Sequence, residues 1–291
     1  MRIVGIRRNG LPVEAAHLSD DGTHVTVIAP LAQFWAGASH RLKSDAPGPT
    51  LPIDAVLLVP PVPADARVIC IGLNYLKHVA EGDFRNRQLP SHPTLFARWT
   101  DTLTVSGADV PVPSNEDGLD WEGEVVAWVG APLVDATSEE ALAAVVGYST
   151  FNDLTCRWAQ RLTSQWILGK NGDRSGPLGP MVSANEVGDL REGLRLQTRV
   201  NGEVVQDAST DEMVYTVGET LAMVSHTFTL RPGDLLATGT PGGVGYARTP
   251  PRLLVPGDVV EVEVDRLGIL RNRIVSNQHR RGALTADAHL L

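Results

Sequence analysis

The sequence predicts a β-rich α+β fold, with a small N-terminal α/β domain ahead of a larger one. Three features carry that prediction. Asn201-Gly202 is a strong two-residue hairpin signal between the strand-like segments 196–200 and 203–206. Pro232-Gly233-Asp234 and Pro256-Gly257-Asp258 each turn the chain into an apolar run, the second being Val259 to Val264. Against these strand signals stand only a few short helical stretches.

Residues up to about 50 read as short strands and a short helix, with turns at Asn9-Gly10 and Asp20-Asp21-Gly22. Proline then crowds into Asp45-Ala46-Pro47-Gly48-Pro49 and Pro60-Pro61-Val62-Pro63, which suits a linker or an edge crossing better than a sheet interior. The small domain is therefore expected over residues 1–64, the larger one over 65–275, and a surface tail of weak periodicity over 276–291. Arg67 to Gly72 reads as a buried strand that opens into a helical turn capped by Asn74. Thr137-Ser138-Glu139-Glu140 is a capping box for a helix over 138–146. Ala141, Leu142, Val145 and Val146 would form its apolar face and Gly147 its stop. A further helix is expected over 216–225. No repeat and no low-complexity segment interrupts the chain.

Net charge is −9, from 25 Lys and Arg against 34 Asp and Glu, which argues against a nucleic-acid partner because phosphate binding needs a basic surface. A small anionic substrate stays open, since local arginines and a metal can dominate one site. Hydrophobic content of 43% is enough to bury a substantial core. Cys70 and Cys156 are too few for a disulfide framework and fit a reducing compartment. The N-terminus has no apolar stretch of the signal-peptide kind, and no segment approaches the roughly 18 apolar residues of a membrane helix. These features predict a soluble, cytoplasmic protein with no membrane partner.

The chemistry is concentrated in Asp120-Trp121-Glu122-Gly123-Glu124, where acids alternate with neutral residues and run into Val125 to Val129. Alternate residues of a strand share a face, so the three acids are expected to point the same way. Like charges beside a buried apolar run call for a cation, and a divalent metal with hard oxygen ligands is the cheapest answer. Asp153 is an obvious further ligand. A solvated acidic strand end is the plainer alternative.

Other candidates are weaker taken singly. His78 and Glu81 stand three apart, so a helical turn would put them on one face and let the carboxylate orient the imidazole as a base. A surface His/Glu pair has the same spacing. Lys170 follows a glycine in a loop and could neutralise a developing enolate, or be one more exposed lysine. Arg157 and Gln160 follow Asp153 by four and seven, which on a helix would stack them toward the metal, or serve only to solvate that helix. Thr238-Gly239-Thr240-Pro241-Gly242-Gly243 is a glycine-rich loop able to approach an anion, or a tight structural turn. It lacks the Lys-Ser/Thr of a P-loop and the spacing of a dinucleotide fingerprint. No nucleophile elbow and no zincin helix motif is present. Arg85 and Arg87 could face a second carboxylate or only solvent.

The order of these motifs is informative. Gly72-Leu73-Asn74-Tyr75 with His78 and Glu81, then Asp120 to Glu124, then Gly147-Tyr148 with Asn152-Asp153, precede Lys170 and Gly179-Pro180. Asn201-Gly202, Pro232-Gly233-Asp234 and Thr238-Gly239-Thr240-Pro241 complete the series. Together they closely resemble the fumarylacetoacetate hydrolase family across roughly residues 66–275. The resemblance implies a mixed β-roll catalytic domain, usually homodimeric. It also implies a Mg2+ or Mn2+ ion, with Ca2+ able to substitute, held by Glu122, Glu124 and Asp153. It makes His78 and Glu81 the catalytic pair on a short closing helix and Lys170 the active-site lysine. Arg157, Gln160, Thr240 and Gly239 fall where members meet substrate carboxylate and keto oxygens.

Two positions depart from the family pattern. Phe96-Ala97-Arg98 stands where many members have Phe-x-Lys, and Arg157-Trp158 where an Arg-Asp pair is common. The first keeps the charge; the second removes an acid and adds bulk, leaving substrate size open. The reaction expected from the resemblance is hydrolysis of a C–C bond in a β-diketo acid such as an acylpyruvate, through a stabilised enolate. Decarboxylation or isomerisation of a 2-oxo diacid needs the same enolate and is the alternative. A non-catalytic, metal-stabilised binding protein is the third reading.

Overall fold

The computed structural model describes residues 1–38, 42, 48–81 and 90–277. Within them the chain forms β1 (Arg2–Arg7), β2 (Glu14–Leu18), β3 (His24–Pro30), β4 (Thr50–Pro52), β5 (Leu57–Val59), β6 (Val68–Ile71) and β7 (Leu95–Arg98). Then follow β8 (Leu103–Val105), β9 (Asp109–Pro111), β10 (Gly123–Val129), β11 (Val145–Asn152), β12 (Gly176–Leu178) and β13 (Met181–Ser183). The last are β14 (Arg195–Val200), β15 (Glu203–Ser209), β16 (Leu235–Ala237), β17 (Val259–Val264) and β18 (Gly268–Val275). The β-rich class expected from the sequence is what forms.

The main sheet runs β4-β3-β2-β1-β13-β11-β10-β16-β6-β7, with β5, β8 and β12 attached to its side. A second sheet runs β15-β14-β17-β18-β9. Pairing is mostly antiparallel, with parallel contacts of β16 with β6, β12 with β8 and β18 with β9. The N-terminal segment up to residue 64 is hydrogen-bonded edge to edge to the rest, because β1 pairs with β13.

Every residue of β10 is buried, which explains its unbroken apolar run: both faces of this central strand are covered. On one face the helices Ser138–Ala143 and Val217–Ser225 pack Ala141, Val217 and Leu221 against Val125, Ala127 and Val129. On the other, Trp35 from the N-terminal helix Leu31–Ala36 stacks on Trp128, ring centroids 5.4 Å apart. Both longer helices open on capping boxes, Thr137 with Glu140 as read from the sequence and Thr216 with Glu219 as the structure adds. Asn201 and Gly202 take the left-handed φ values of 52° and 85° that their hairpin turn requires.

Two local expectations are corrected. The helix expected over 138–146 stops at Ala143, and Val145 enters β11 opposite Val129. The two valines are β-branched and find a better place in the sheet than in a last helical turn. Gly147 is no helix stop; it is a strand residue where a Cβ would come within 2.6 Å of the Val182 carbonyl oxygen. Asn74 does not cap the helix Leu76–Val79, whose N-cap is Tyr75 without a side-chain bond. Instead the buried Asn74 amide donates to the Tyr215 and Thr238 carbonyls and accepts from the Tyr215 N–H, tying three loops together. The tail from residue 278 and Arg85 and Arg87 lie outside the described residues. Among those described, no helix is long and apolar enough to cross a membrane.

Candidate metal centre and active site

Strand register builds the acidic centre. β10 and β11 are antiparallel with Gly123 opposite Asn152, so the residues just beyond, Glu122 and Asp153, stand across from each other. The Asp153 N–H donates to the Glu122 carbonyl at 2.9 Å, and the Glu122 N–H donates to Asn152 Oδ1 at 3.0 Å, which locks both backbones. Glu124 follows one pleat later on the same face as Glu122. The result is a buried trio, Glu122, Glu124 and Asp153, with one oxygen from each lying within 4.8 Å of the others.

Asp120 is the exception to the expected alternation. It lies outside β10, where its backbone pairs with Thr155, and its carboxylate is not one of the three whose oxygens converge. It accepts from Gly245 N–H at 2.7 Å, Tyr246 N–H at 3.1 Å and Arg157 Nε at 2.7 Å. Its charge is therefore met by an arginine and two amides, with no metal ion required. The helix on which Arg157 and Gln160 could stack toward the metal does not reach back to Asp153. It covers only Arg157–Gln160, because residues 153–155 are held extended by the pairing of Thr155 with Asp120.

Three cations meet the trio. Lys170 Nζ donates to Glu122 Oε2 and to Asp153 Oδ2, both at 2.6 Å, and is itself buried. Arg98, fully buried on β7, donates from Nη1 to Asp153 Oδ1 at 2.5 Å and from Nη2 to Ser175 Oγ. Arg157 Nη2 reaches Glu122 Oε1 at 2.6 Å, and its Nη1 donates to Gln160 Oε1 at 2.9 Å. Burial works to raise the Glu122 carboxyl, yet the charges of Lys170 and Arg157 outweigh it and hold the group below the usual range. Glu124 has no such partner. Burial, then the charges of Asp153 and Glu122, push it well above the usual range, opposed by the Lys170 charge and by the Gly239 N–H at 3.0 Å. For Lys170, burial is overcome by Asp153 and Glu122, and the ammonium is strengthened.

The donor set fits a hard divalent ion. Three buried carboxylates with converging oxygens, one of them lacking a countercharge of its own, suit Mg2+ or Mn2+.

A cavity of about 80 Å3 opens beside this centre, lined by His78, Glu122, Arg157, Gln160 and Lys170 among others. His78 lies on the short helix Leu76–Val79, with Nδ1 3.6 Å from Glu81 Oε2, too long for a hydrogen bond as it stands. Neither atom has another partner among the described residues. The other Glu81 oxygen accepts from Gly243 N–H at 2.6 Å, which anchors the carboxylate to the glycine-rich loop. Gly239 and Thr240 do not line the cavity. Gly239, at φ 86°, approaches Asn74 as closely as a Cβ would allow, and Thr240 Oγ1 donates to the Gly123 carbonyl at 3.0 Å. Trp158, the bulky departure, is 55% exposed and is not part of the cavity wall.

Sequence reasoning missed several contributors. Tyr246, Arg161 and Trp166 line the cavity, and Gln206 bridges Gly123 and Thr240. None belongs to a local pattern. Cys70 and Cys156 are both buried, and burial raises both thiols, Cys156 to about 12, so neither is a ready nucleophile.

Residues 67–275 match the family model described as fumarylacetoacetate (FAA) hydrolase C-terminal. The chain is 36% identical over 229 residues to the mitochondrial oxaloacetate tautomerase Fahd2a of Rattus norvegicus, covering 78% of this chain and 72% of that protein. A fumarylpyruvate hydrolase from Pseudomonas aeruginosa, solved in complex with Mn2+ and pyruvate, is 33% identical. It covers 76% of this chain and 92% of its own, with a TM-score of 0.66. A 5-carboxymethyl-2-hydroxymuconate delta-isomerase from Mycobacterium smegmatis superposes over 95% of this chain and 100% of its own, at 28% identity and a TM-score of 0.76. With the model match spanning most of the sequence, the chain belongs to the fumarylacetoacetate hydrolase family.

Proposed function

We propose that this protein is an enzyme that interconverts the keto and enol forms of a small 2-oxo diacid, oxaloacetate being the simplest example. The observation that carries the reading is a small cavity lined by His78, Lys170 and Glu122 beside a carboxylate trio fit for a divalent ion, with Glu81 facing the imidazole. At about 80 Å3 the cavity is far below the roughly 300–1,000 Å3 of pockets for drug-sized ligands, which favours a substrate of few carbons.

Glu122, Glu124 and Asp153 would hold the cation, which when bound supplies a Lewis acid for the adjacent oxygens of a 2-oxo acid. Lys170 contributes a fixed positive charge beside the oxygen where negative charge develops as the enolate forms. Glu81 faces His78 Nδ1, which favours a proton on that nitrogen and leaves Nε2 to act as base. In the proposed step Nε2 takes a proton from C3 of the keto acid, the C–H electron pair becomes the C2–C3 double bond, and the carbonyl oxygen takes up the charge. Return of a proton to oxygen completes the enol, and the reverse sequence restores the ketone. Similarity to an oxaloacetate tautomerase and to a delta-isomerase supports this choice, because both names denote proton relocation without cleavage of a C–C bond.

Hydrolysis of an acylpyruvate-type C–C bond is the second reading, favoured by the likeness to a fumarylpyruvate hydrolase. There the same His78 would deprotonate water. The deciding experiment follows loss of enol absorbance in fresh oxaloacetate solutions, with Mn2+ and then with EDTA, beside a panel of acylpyruvates. Metal-dependent acceleration of oxaloacetate conversion supports tautomerisation. Cleavage of an acylpyruvate without that acceleration transfers the assignment to hydrolysis, and turnover of neither sinks both.

A further inference from the structure

Much of the cavity wall is tied into buried charge pairs. Arg157 is held by Asp120, Glu122 and Gln160, and Lys170 bridges Glu122 and Asp153. Among the described residues of the wall, the largest side chain is that of Trp166, which carries no charge and is half-buried.

Three contacts fix where the indole sits. Trp166 is the N-cap residue of the helix Ile167–Lys170, and its carbonyl accepts from the Lys170 N–H at 3.0 Å, so one helical turn sets both the wall and the ammonium. Phe96 meets the ring edge-on, with centroids 5.6 Å apart and planes at 67°. The far edge of the ring rests on the backbone at Gly72: a Cβ there would stand 2.8 Å from Trp166 Cη2 and closer still to Cζ3. The next atom that Cβ would meet is the Thr94 carbonyl oxygen, at an ordinary 3.5 Å, so the missing side chain makes room for the indole in particular. A ring held this way, against a cavity of about 80 Å3, has little freedom to yield to a longer ligand.

We infer that Trp166, seated on Gly72, is the residue that determines substrate length, admitting 2-oxo acids of few carbons and rejecting those with long alkyl chains. The inference rests on the 2-oxo-acid site proposed above and adds to it the side chain that sets its size. The indole is uncharged and exchanges no proton with the substrate, so its effect falls on binding.

The test measures Kd by calorimetric titration of 2-oxobutanoate and 2-oxooctanoate into the Mn2+-loaded full chain, with oxaloacetate turnover followed separately. The wild type is expected to bind 2-oxobutanoate about tenfold more tightly than 2-oxooctanoate. In Trp166→Ala the Kd for 2-oxooctanoate is expected to fall about tenfold, and that for 2-oxobutanoate to change by less than about threefold. Trp166→Phe keeps an aromatic ring on the wall and should lie between. Gly72→Ala, whose Cβ displaces the indole, should shift the ratio of the two Kd values with Trp166 present and leave it unchanged in the Trp166→Ala background. A wild type that binds both acids alike, or Trp166 variants that lose affinity for both equally, would overturn the inference. Size selection without oxaloacetate turnover would count against the enolisation reading alone, and a wild type that binds neither acid would end both.

Discussion

Lys170 Nζ stands 2.6 Å from Asp153 Oδ2, and both side chains are buried. The pair crosses from the helix Ile167–Lys170 to the end of β11 and supplies charge to a site otherwise dominated by acids. Removing one member of a buried ion pair costs about 3–5 kcal/mol, and because Arg98 still meets Asp153 and Arg157 still meets Glu122 the lower end of that range applies here. Lys170→Met is therefore expected to lose stability of that order in EDTA, measured by urea unfolding. A loss below about 1 kcal/mol would mean that the ammonium is not needed to balance the trio.

The trio itself predicts ligand-linked stability. An ion that binds only the folded chain stabilises it by about 2.7 kcal/mol at a concentration 100 times its Kd. Mn2+ is expected to raise the unfolding midpoint of the wild type, and EDTA to reverse the rise. Asp153→Asn should abolish most of that increment. Calorimetric titration of Mn2+ into both proteins provides an independent check, and unchanged affinity in the variant would remove Asp153 from the ligand set.

Glu81 is 27% exposed on its side chain and touches no member of the trio, so its role can be separated from metal binding. Glu81→Gln keeps an oxygen for the Gly243 N–H but loses the charge that faces His78 Nδ1. Turnover is expected to fall about a hundredfold, in line with general acid–base contributions, while Mn2+ affinity stays as in the wild type. Full activity in Glu81→Gln would strip the pair of its assigned role.

Asp258 provides a pH-dependent prediction away from the site. Partial burial works to raise its carboxyl, but the Val255 N–H, Asn201 and Arg252 outweigh burial and bring it below the usual value. A group whose folded pKa is depressed stabilises the protein fully above its unfolded value, about 3.9, and loses that contribution as pH falls through the folded value. Asp258→Asn should cost about 2 kcal/mol at pH 7, as expected for hydrogen bonds to a charged group. The gap between variant and wild type should narrow below about pH 4, in urea titrations at stepped pH. A gap constant with pH would show that the carboxylate charge is not what matters.

Much of this molecule was legible locally. The capping box at Thr137 and the hairpin at Asn201-Gly202 depend on groups within a few residues, so they form as the sequence implies. The family motifs named the carboxylates, His78 and Lys170 because their types and order survive without any coordinates. Trp158 shows the limit of that reading: a bulky side chain expected to bear on the substrate faces solvent instead.

The rest depended on contacts between distant segments. Whether Asp120 joins its alternating neighbours is set by Arg157 and the amides of Gly245 and Tyr246, which lie 37 to 126 positions away. Val145 leaves its helix because β10 offers it a register, and Asn74 abandons the cap because Tyr215 and Thr238 offer three hydrogen bonds. The sequence by itself determined which groups carry the charge and where the chain turns, since these follow from residue type and near neighbours. Only the tertiary structure decided which cation meets which carboxylate. In a buried site that choice is settled by the satisfaction of every charge at once, and its partners come from segments far apart in the chain.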